Sequence, residues 1–123
     1  MKFLCLAYYD EKKFETLPKD EVDALVRNCQ AHDEALRQSG RLIVVASLGP
    51  THARKSVTPK QGKPLVTDGP FAETKEQIGA FFIVEARDLD EATEVASLHP
   101  AAHLGENVGW AIEVRPIDYF EQP

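Results

Sequence analysis

Ala80-Phe81-Phe82-Ile83-Val84-Glu85-Ala86 decides the fold. A strand points successive side chains to opposite faces, and here both alternating sets are apolar, so this strand must be covered on two sides. Residues 2–9 repeat the pattern, with Phe3, Cys5 and Ala7 on one face and Leu4, Leu6 and Tyr8 on the other. Two such strands are expected to lie side by side at the centre of one sheet, under a helix layer on one face. A partner subunit is expected on the other.

The remaining elements follow in order around this pair. Pro18 opens and Gly40 closes a helix of about twenty residues, with Asp20 and Glu21 in its first turn, near the positive end of the helix dipole. Its apolar stripe is Val22, Leu25, Val26, Cys29 and Leu36. His32 fills the gap in that stripe and is expected to face the sheet, as a core-edge imidazole or as the lining of a ligand cavity. Arg41 to Leu48 reads as a second strand. Thr51 to Thr58 and Lys63 to Thr67 read as a more polar hairpin around Pro59-Lys60-Gln61-Gly62, an edge arm whose His52, Arg54 and Lys55 discourage aggregation or touch a ligand.

Beyond the central strand, Asp88 caps a helix, with Glu91 in capping-box spacing and Leu89, Ala92, Val95, Ala96 and His99 expected on the inner face. Pro100 stops it, leaving His99 at the helix's negative end, where a positive imidazole is mildly favoured. Trp110 to Arg115 alternates as a last strand, with Trp110, Ile112 and Val114 inward. Strand, helix, strand, hairpin arm, strand, helix, strand makes two βαβ-like halves. The fold class expected is α+β: a ferredoxin-like sandwich with a mostly antiparallel sheet and two helices on one face.

Bulk properties narrow the function. A chain of 123 residues suits one domain, 1–123, which can bury roughly two-thirds of its unfolded surface. With 43% hydrophobic and 28% charged residues, it is an ordinary globular mixture, not a disordered one. The formal charge of −6 repels phosphate backbones, and neither Lys12-Lys13 nor Arg54-Lys55 makes a basic cluster, so no nucleic-acid partner is expected. The apolar run from Phe3 to Tyr9 is too short for a signal peptide's core, and no stretch reaches a membrane span's length. Cys5 and Cys29 have no CxxC spacing. Together these features predict buried free thiols, a cytoplasmic protein and no membrane partner.

The densest chemistry lies in Thr67-Asp68-Gly69-Pro70-Phe71-Ala72-Glu73-Thr74-Lys75-Glu76-Gln77, a turn that presents an aromatic ring, carboxylates, a hydroxyl and an ammonium. This stretch resembles the signature of the DGPF proteins within the YCII-related superfamily. The likeness extends in kind to the start, Met1-Lys2-Phe3-Leu4-Cys5, and the end, Ile112-Glu113-Val114-Arg115-Pro116. The resemblance implies a dimeric α+β barrel formed sheet against sheet. It also implies a His and an Asp in a pocket between helix and sheet, and an association with extracytoplasmic-function sigma factors, but no settled activity.

Specific catalytic motifs are missing: there is no G-x-S-x-G elbow, P-loop or G-x-G-x-x-G fingerprint, and Pro100 breaks the helical spacing of His99 and His103 that metal binding would use. Neither a cofactor nor a metal is expected. Acid–base chemistry remains, with Asp68 and His32 as the catalytic pair and Phe71, Glu73, Thr74 and Lys75 as binding residues. Asp68 transfers through the matching motif, whereas His32 takes its role from helical phase. The expected function is a small-molecule-binding homodimer, an isomerase- or lyase-type enzyme in the first reading. A non-catalytic ligand-sensing module linked to sigma-factor regulation is the second, and a purely structural dimer the third, in which the signature loop locks the subunit interface, Asp68 and Glu73 satisfy backbone donors and no cavity is left. For Lys75 the plain structural expectation is a pair with Glu73 or Glu76.

Overall fold

The computed structural model describes residues 1–123. Its elements are β1 (Lys2–Asp10), α1 (Glu11–Glu15), α2 (Lys19–Gln38), β2 (Leu42–Ser47), β3 (Lys55–Lys60), β4 (Lys63–Asp68), β5 (Glu76–Glu85), α3 (Leu89–Ala96) and β6 (Ala111–Pro116). Single 3₁₀ turns lie at Thr51–Ala53, Pro100–Ala102 and Glu106–Val108. β2, β5, β1 and β6 form one sheet in that order, with every neighbouring pair antiparallel. This is the ferredoxin-like arrangement, an α+β fold with β1 and β5 as the central pair. The hairpin β3–β4 stands apart as a two-stranded sheet.

The two faces of the central strands have different fates. Phe3, Cys5, Ala7, Phe82 and Val84 are buried on the helix side, where Leu36 of α2 and Ala92, Val95 and Ala96 of α3 complete the core. Leu4, Leu6, Tyr8, Phe81 and Ile83 occupy the other face and stay half-buried, since no element of the chain covers them. The doubly apolar pattern thus yields one closed face and one open face.

Several boundaries differ from those read in the sequence. β5 begins at Glu76 instead of Ala80, because β1 runs on to Asp10 and pairs Tyr9 with Gln77 and Asp10 with Glu76. The chain then makes a short helix that had not been expected, capped by the Asp10 carboxylate accepting the Lys13 N–H at 3.2 Å. α3 ends at Ala96, before Pro100 can act. Asp88 caps it as expected, accepting the Glu91 N–H at 2.8 Å, but Glu91 turns back to the N–H of Arg87 and to Arg41. Two residues assigned to inner faces lie outside the core: Leu89 is exposed at the first turn of α3, and Val26 is 60% exposed. The second follows from a gap between α2 and the sheet.

Candidate functional site

That gap arises from side-chain volume. On the helix side of the sheet, β1 runs Phe3, Cys5, Ala7 and β5 runs Val84, Phe82, Ala80, so both central strands taper from bulky to small toward the same end. Leu36 seats the C-terminal half of α2 on the bulky end. Over Ala7, Gly79 and Ala80 there is nothing for the N-terminal half to pack against, and a cleft of about 670 Å³ opens.

A register shift sharpens this end of the sheet. Ala7 pairs with Ala80 and Tyr8 with Ile78, which makes Gly79 the extra residue of a bulge. A Cβ on Gly79 would stand 3.0 Å from the ring of Tyr9, so glycine here lets that ring lie down over the strand. Tyr9 meets Phe14 of α1 edge to face at 5.9 Å, and both line the cleft. Trp110 forms another wall. Gly105, at φ +74°, packs so closely under the indole that any Cβ would collide with it.

Polar groups enter this aromatic slot from three directions. Glu11 and Glu15 come from α1, Asp33 and Gln30 from α2, and Ser47, Thr51 and His52 from the end of β2 and the turn beyond. The Thr51 hydroxyl donates to Glu11 Oε1, tying that turn to α1. His99 reaches the cleft from the stretch after α3. Its Nδ1 accepts the Ala101 N–H at 3.0 Å, and its ring stacks on Phe82. With Nδ1 used as an acceptor, the neutral ring carries its proton on Nε2.

Burial sets the charge states. It pushes the His99 pKa down against an upward pull from Asp33, so the imidazole is neutral at neutral pH. This corrects the expectation of a cationic His99 at a helix terminus: the residue lies beyond α3, as the cap of the next 3₁₀ turn, and desolvation dominates. Burial also raises the Tyr9 phenol, with Glu11 and Glu15 adding to the rise and Arg54 opposing it, and raises the Cys29 thiol with help from Asp33. Cys5, in the core, is pushed up to about 12 by burial. The cleft thus holds a neutral imidazole beside a carboxylate, which can accept a proton from a bound molecule and return it.

The residues selected from the sequence lie elsewhere. Asp68, its side chain 88% exposed, pairs with Lys55 Nζ at 2.9 Å. His32 stacks on His103 with ring centroids 4.7 Å apart, and no hydrogen bond or ion pair joins it to Asp68 within one chain. Phe71 is exposed. Thr74 donates to the Glu76 carbonyl, and Lys75 reaches the buried Asp10 at 3.7 Å, not Glu73 or Glu76. The signature also knits the root of the arm. Gly69 N–H donates to the Arg54 carbonyl, Ser56 Oγ to the Gly69 carbonyl, Arg54 Nη1 to Gln77 Oε1, and Gln77 Nε2 to the Thr74 carbonyl.

His99, Asp33 and Tyr9 were not singled out as site residues from the sequence. The signal that could have found them is the pair of small residues, Ala7 and Ala80, at matching ends of two otherwise bulky strands.

Comparison with known proteins adds a family relationship. The profile of the YCII-related domain matches residues 1–118. An uncharacterised protein of Rhizobium meliloti (strain 1021) is 33% identical over 121 residues, covering 98% of this chain and 95% of the relative. Among solved structures, the 5-chloro-2-hydroxyhydroquinone dehydrochlorinase TftG of Burkholderia phenoliruptrix AC1100, in complex with 2,5-dihydroxybenzoquinone, aligns with a TM-score of 0.49 and 16% identity. That alignment covers 98% of this chain and 96% of TftG.

Proposed function

The chain belongs to the YCII-related domain family, and from that premise we propose that it binds a small organic molecule in the cleft between α2 and the sheet and moves a proton on it. One observation carries this reading: a neutral His99 lines the cleft, with Nδ1 committed to the backbone and no partner on Nε2. Asp33 supplies the charge that would stabilise the imidazolium formed when the ring takes up a proton. Such a pair supplies the proton-transfer part of isomerase- or lyase-type chemistry. In this reading His99 and Asp33 take the acid–base role first given to His32 and Asp68. The DGPF-type signature then serves as an architectural lock, holding the arm root and, through Lys75 and Asp10, the strand end that carries Tyr9 and Glu11.

The protein is proposed to act as a homodimer. The open sheet face, Leu4, Leu6, Tyr8, Phe81 and Ile83, is apolar at its centre, while Glu113 and Arg115 lie on the same face along β6. A two-fold axis through this face can set Glu113 of one protomer opposite the partner's Arg115, a self-complementary arrangement that favours a second copy over an unrelated protein. Sheet-to-sheet packing of this kind gives a dimeric α+β barrel.

The test of the cleft reading is a fragment screen followed by backbone amide shifts. Hits should perturb Gly79, Ala80, Ala101 and the Trp110 indole, and His99→Gln should weaken them. Hits that map only to the arm or to the open sheet face would overturn it. A sensing module without chemistry would bind the same fragments, yet turn none of them over.

A further inference from the structure

The cleft has a definite electrostatic sign. Its carboxylate side chains are Glu11, Glu15 and Asp33, and no lysine or arginine lines it. Of the two imidazoles that line it, His99 is kept neutral by burial and His52 is exposed to water. Burial is the main cause that raises the Tyr9 and Cys29 pKa values, and the carboxylates add to it, Glu11 and Glu15 at Tyr9 and Asp33 at Cys29. Arg54 opposes it at Tyr9, but its guanidinium is held at Gln77 by a 2.7 Å hydrogen bond. A carboxylate or phosphate entering this space would meet three acidic side chains with no cationic side chain to offset them, a repulsion that salt weakens because the cleft is open to water.

The apolar walls specify the rest of the ligand. Ala7 and Ala80 give a floor with only methyl side chains, the Tyr9 ring lies over Gly79 beside them, and Phe14 and Trp110 add further aromatic walls. A flat ring fits such a slot. Aromatic faces also attract cations, so walls and carboxylates favour the same sign of charge.

Resting on the proposal that this cleft is the ligand site, we infer that the class of molecule it takes is an arylalkylamine, a flat aromatic ring carrying a basic aliphatic amine, bound as the ammonium ion among Glu11, Glu15 and Asp33 with its ring against Tyr9, Phe14 and Trp110. Ring and ammonium together distinguish it from aromatic acids, phosphate esters and uncharged aromatics of the same size.

Three probes of nearly equal shape test this: naphthylmethylamine, naphthalenemethanol and naphthoate, each titrated into the full chain at low salt and followed by the amide shifts of Ala80 and Ala101. The amine is expected to bind about tenfold more tightly than the alcohol, with naphthoate weakest, and the gap is expected to narrow as salt rises. In the double variant Glu15→Gln, Asp33→Asn, both on accessible helix surfaces, amine and alcohol should converge. The wild-type salt series gives the same answer without any variant. If the alcohol or naphthoate binds at these residues as tightly as the amine, the charge assignment is overturned while the cleft remains a ligand site. If none of the three moves these resonances at millimolar concentration, both the amine and the cleft reading fall.

Discussion

His99 lies flat on Phe82, the ring centroids 4.7 Å apart and the planes 2° from parallel. One face of the imidazole is therefore sealed by the core, one nitrogen is spent on the Ala101 N–H, and only the remaining edge is left to the cleft. This geometry makes the residue a titrating strut as well as a site residue. Its folded pKa lies below the ordinary 6.5, so the unfolded chain takes up a proton more readily than the folded one. Stability is then fully present above pH 6.5 and declines as pH falls from there toward the folded pKa. The urea midpoint of the wild type should drop between pH 7.5 and pH 5, and in His99→Gln that part of the drop should vanish. An equal pH dependence in the two proteins would show that His99 is not the buried neutral group described.

Much of this was readable in the sequence, for reasons that differ by element. The central strands declared themselves because Phe3, Leu4, Cys5, Leu6 and Phe81 to Val84 are apolar at every position, and local pattern is all that such a statement needs. The capping of α3 by Asp88 was equally local. The cleft was not readable in the same way. It depends on Ala7 meeting Ala80 across two strands and on α2 lifting away above them, and neither fact exists until the register is set. The signature drew notice for the opposite reason: its polar groups are concentrated in sequence, while in space they disperse to Lys55, Asp10, Arg54 and Glu76.

The signature's contacts rank its residues. Gln77 is buried and joins Arg54 to Thr74, whereas the Asp68–Lys55 pair is open to water. Gln77→Ala would leave the half-buried Arg54 guanidinium, whose Nε already has no partner, without its Nη1 acceptor as well. A cost of about 2 kcal/mol is expected by chemical denaturation, with faster amide exchange in residues 69–76. Asp68→Asn should cost less than about 1 kcal/mol. A larger loss for Asp68→Asn than for Gln77→Ala would reverse this assignment and return Asp68 to the centre of the site.

Gly105 holds Trp110 in place by lacking a side chain. Gly105→Ala combines a strained positive φ with a methyl group driven into the indole. The expected destabilisation is about 2 to 3 kcal/mol. Because Trp110 is the chain's single tryptophan, its emission should shift to the red as the ring is displaced toward water. Fragment binding in the cleft should weaken in parallel. Unchanged emission would mean that the loop absorbs the methyl and that Trp110 does not depend on this contact.

The proposed second copy is tested most directly at the open sheet face. Leu6 stands at its centre, paired with Phe81 on one side and Glu113 on the other. In a monomer, Leu6→Glu replaces a half-buried apolar side chain on an uncovered face, so the fold should survive with a modest loss. In a dimer closed through this face, the same change places two like charges near the two-fold axis, away from water. Light scattering should therefore give the wild type twice the 13.7 kDa chain mass and the variant a single chain mass, with similar far-ultraviolet circular dichroism for both. A monomeric wild type would remove the dimer altogether. A dimeric Leu6→Glu would move the interface to another surface, for which the exposed Val57 and Val66 of the arm are the next residues to mutate.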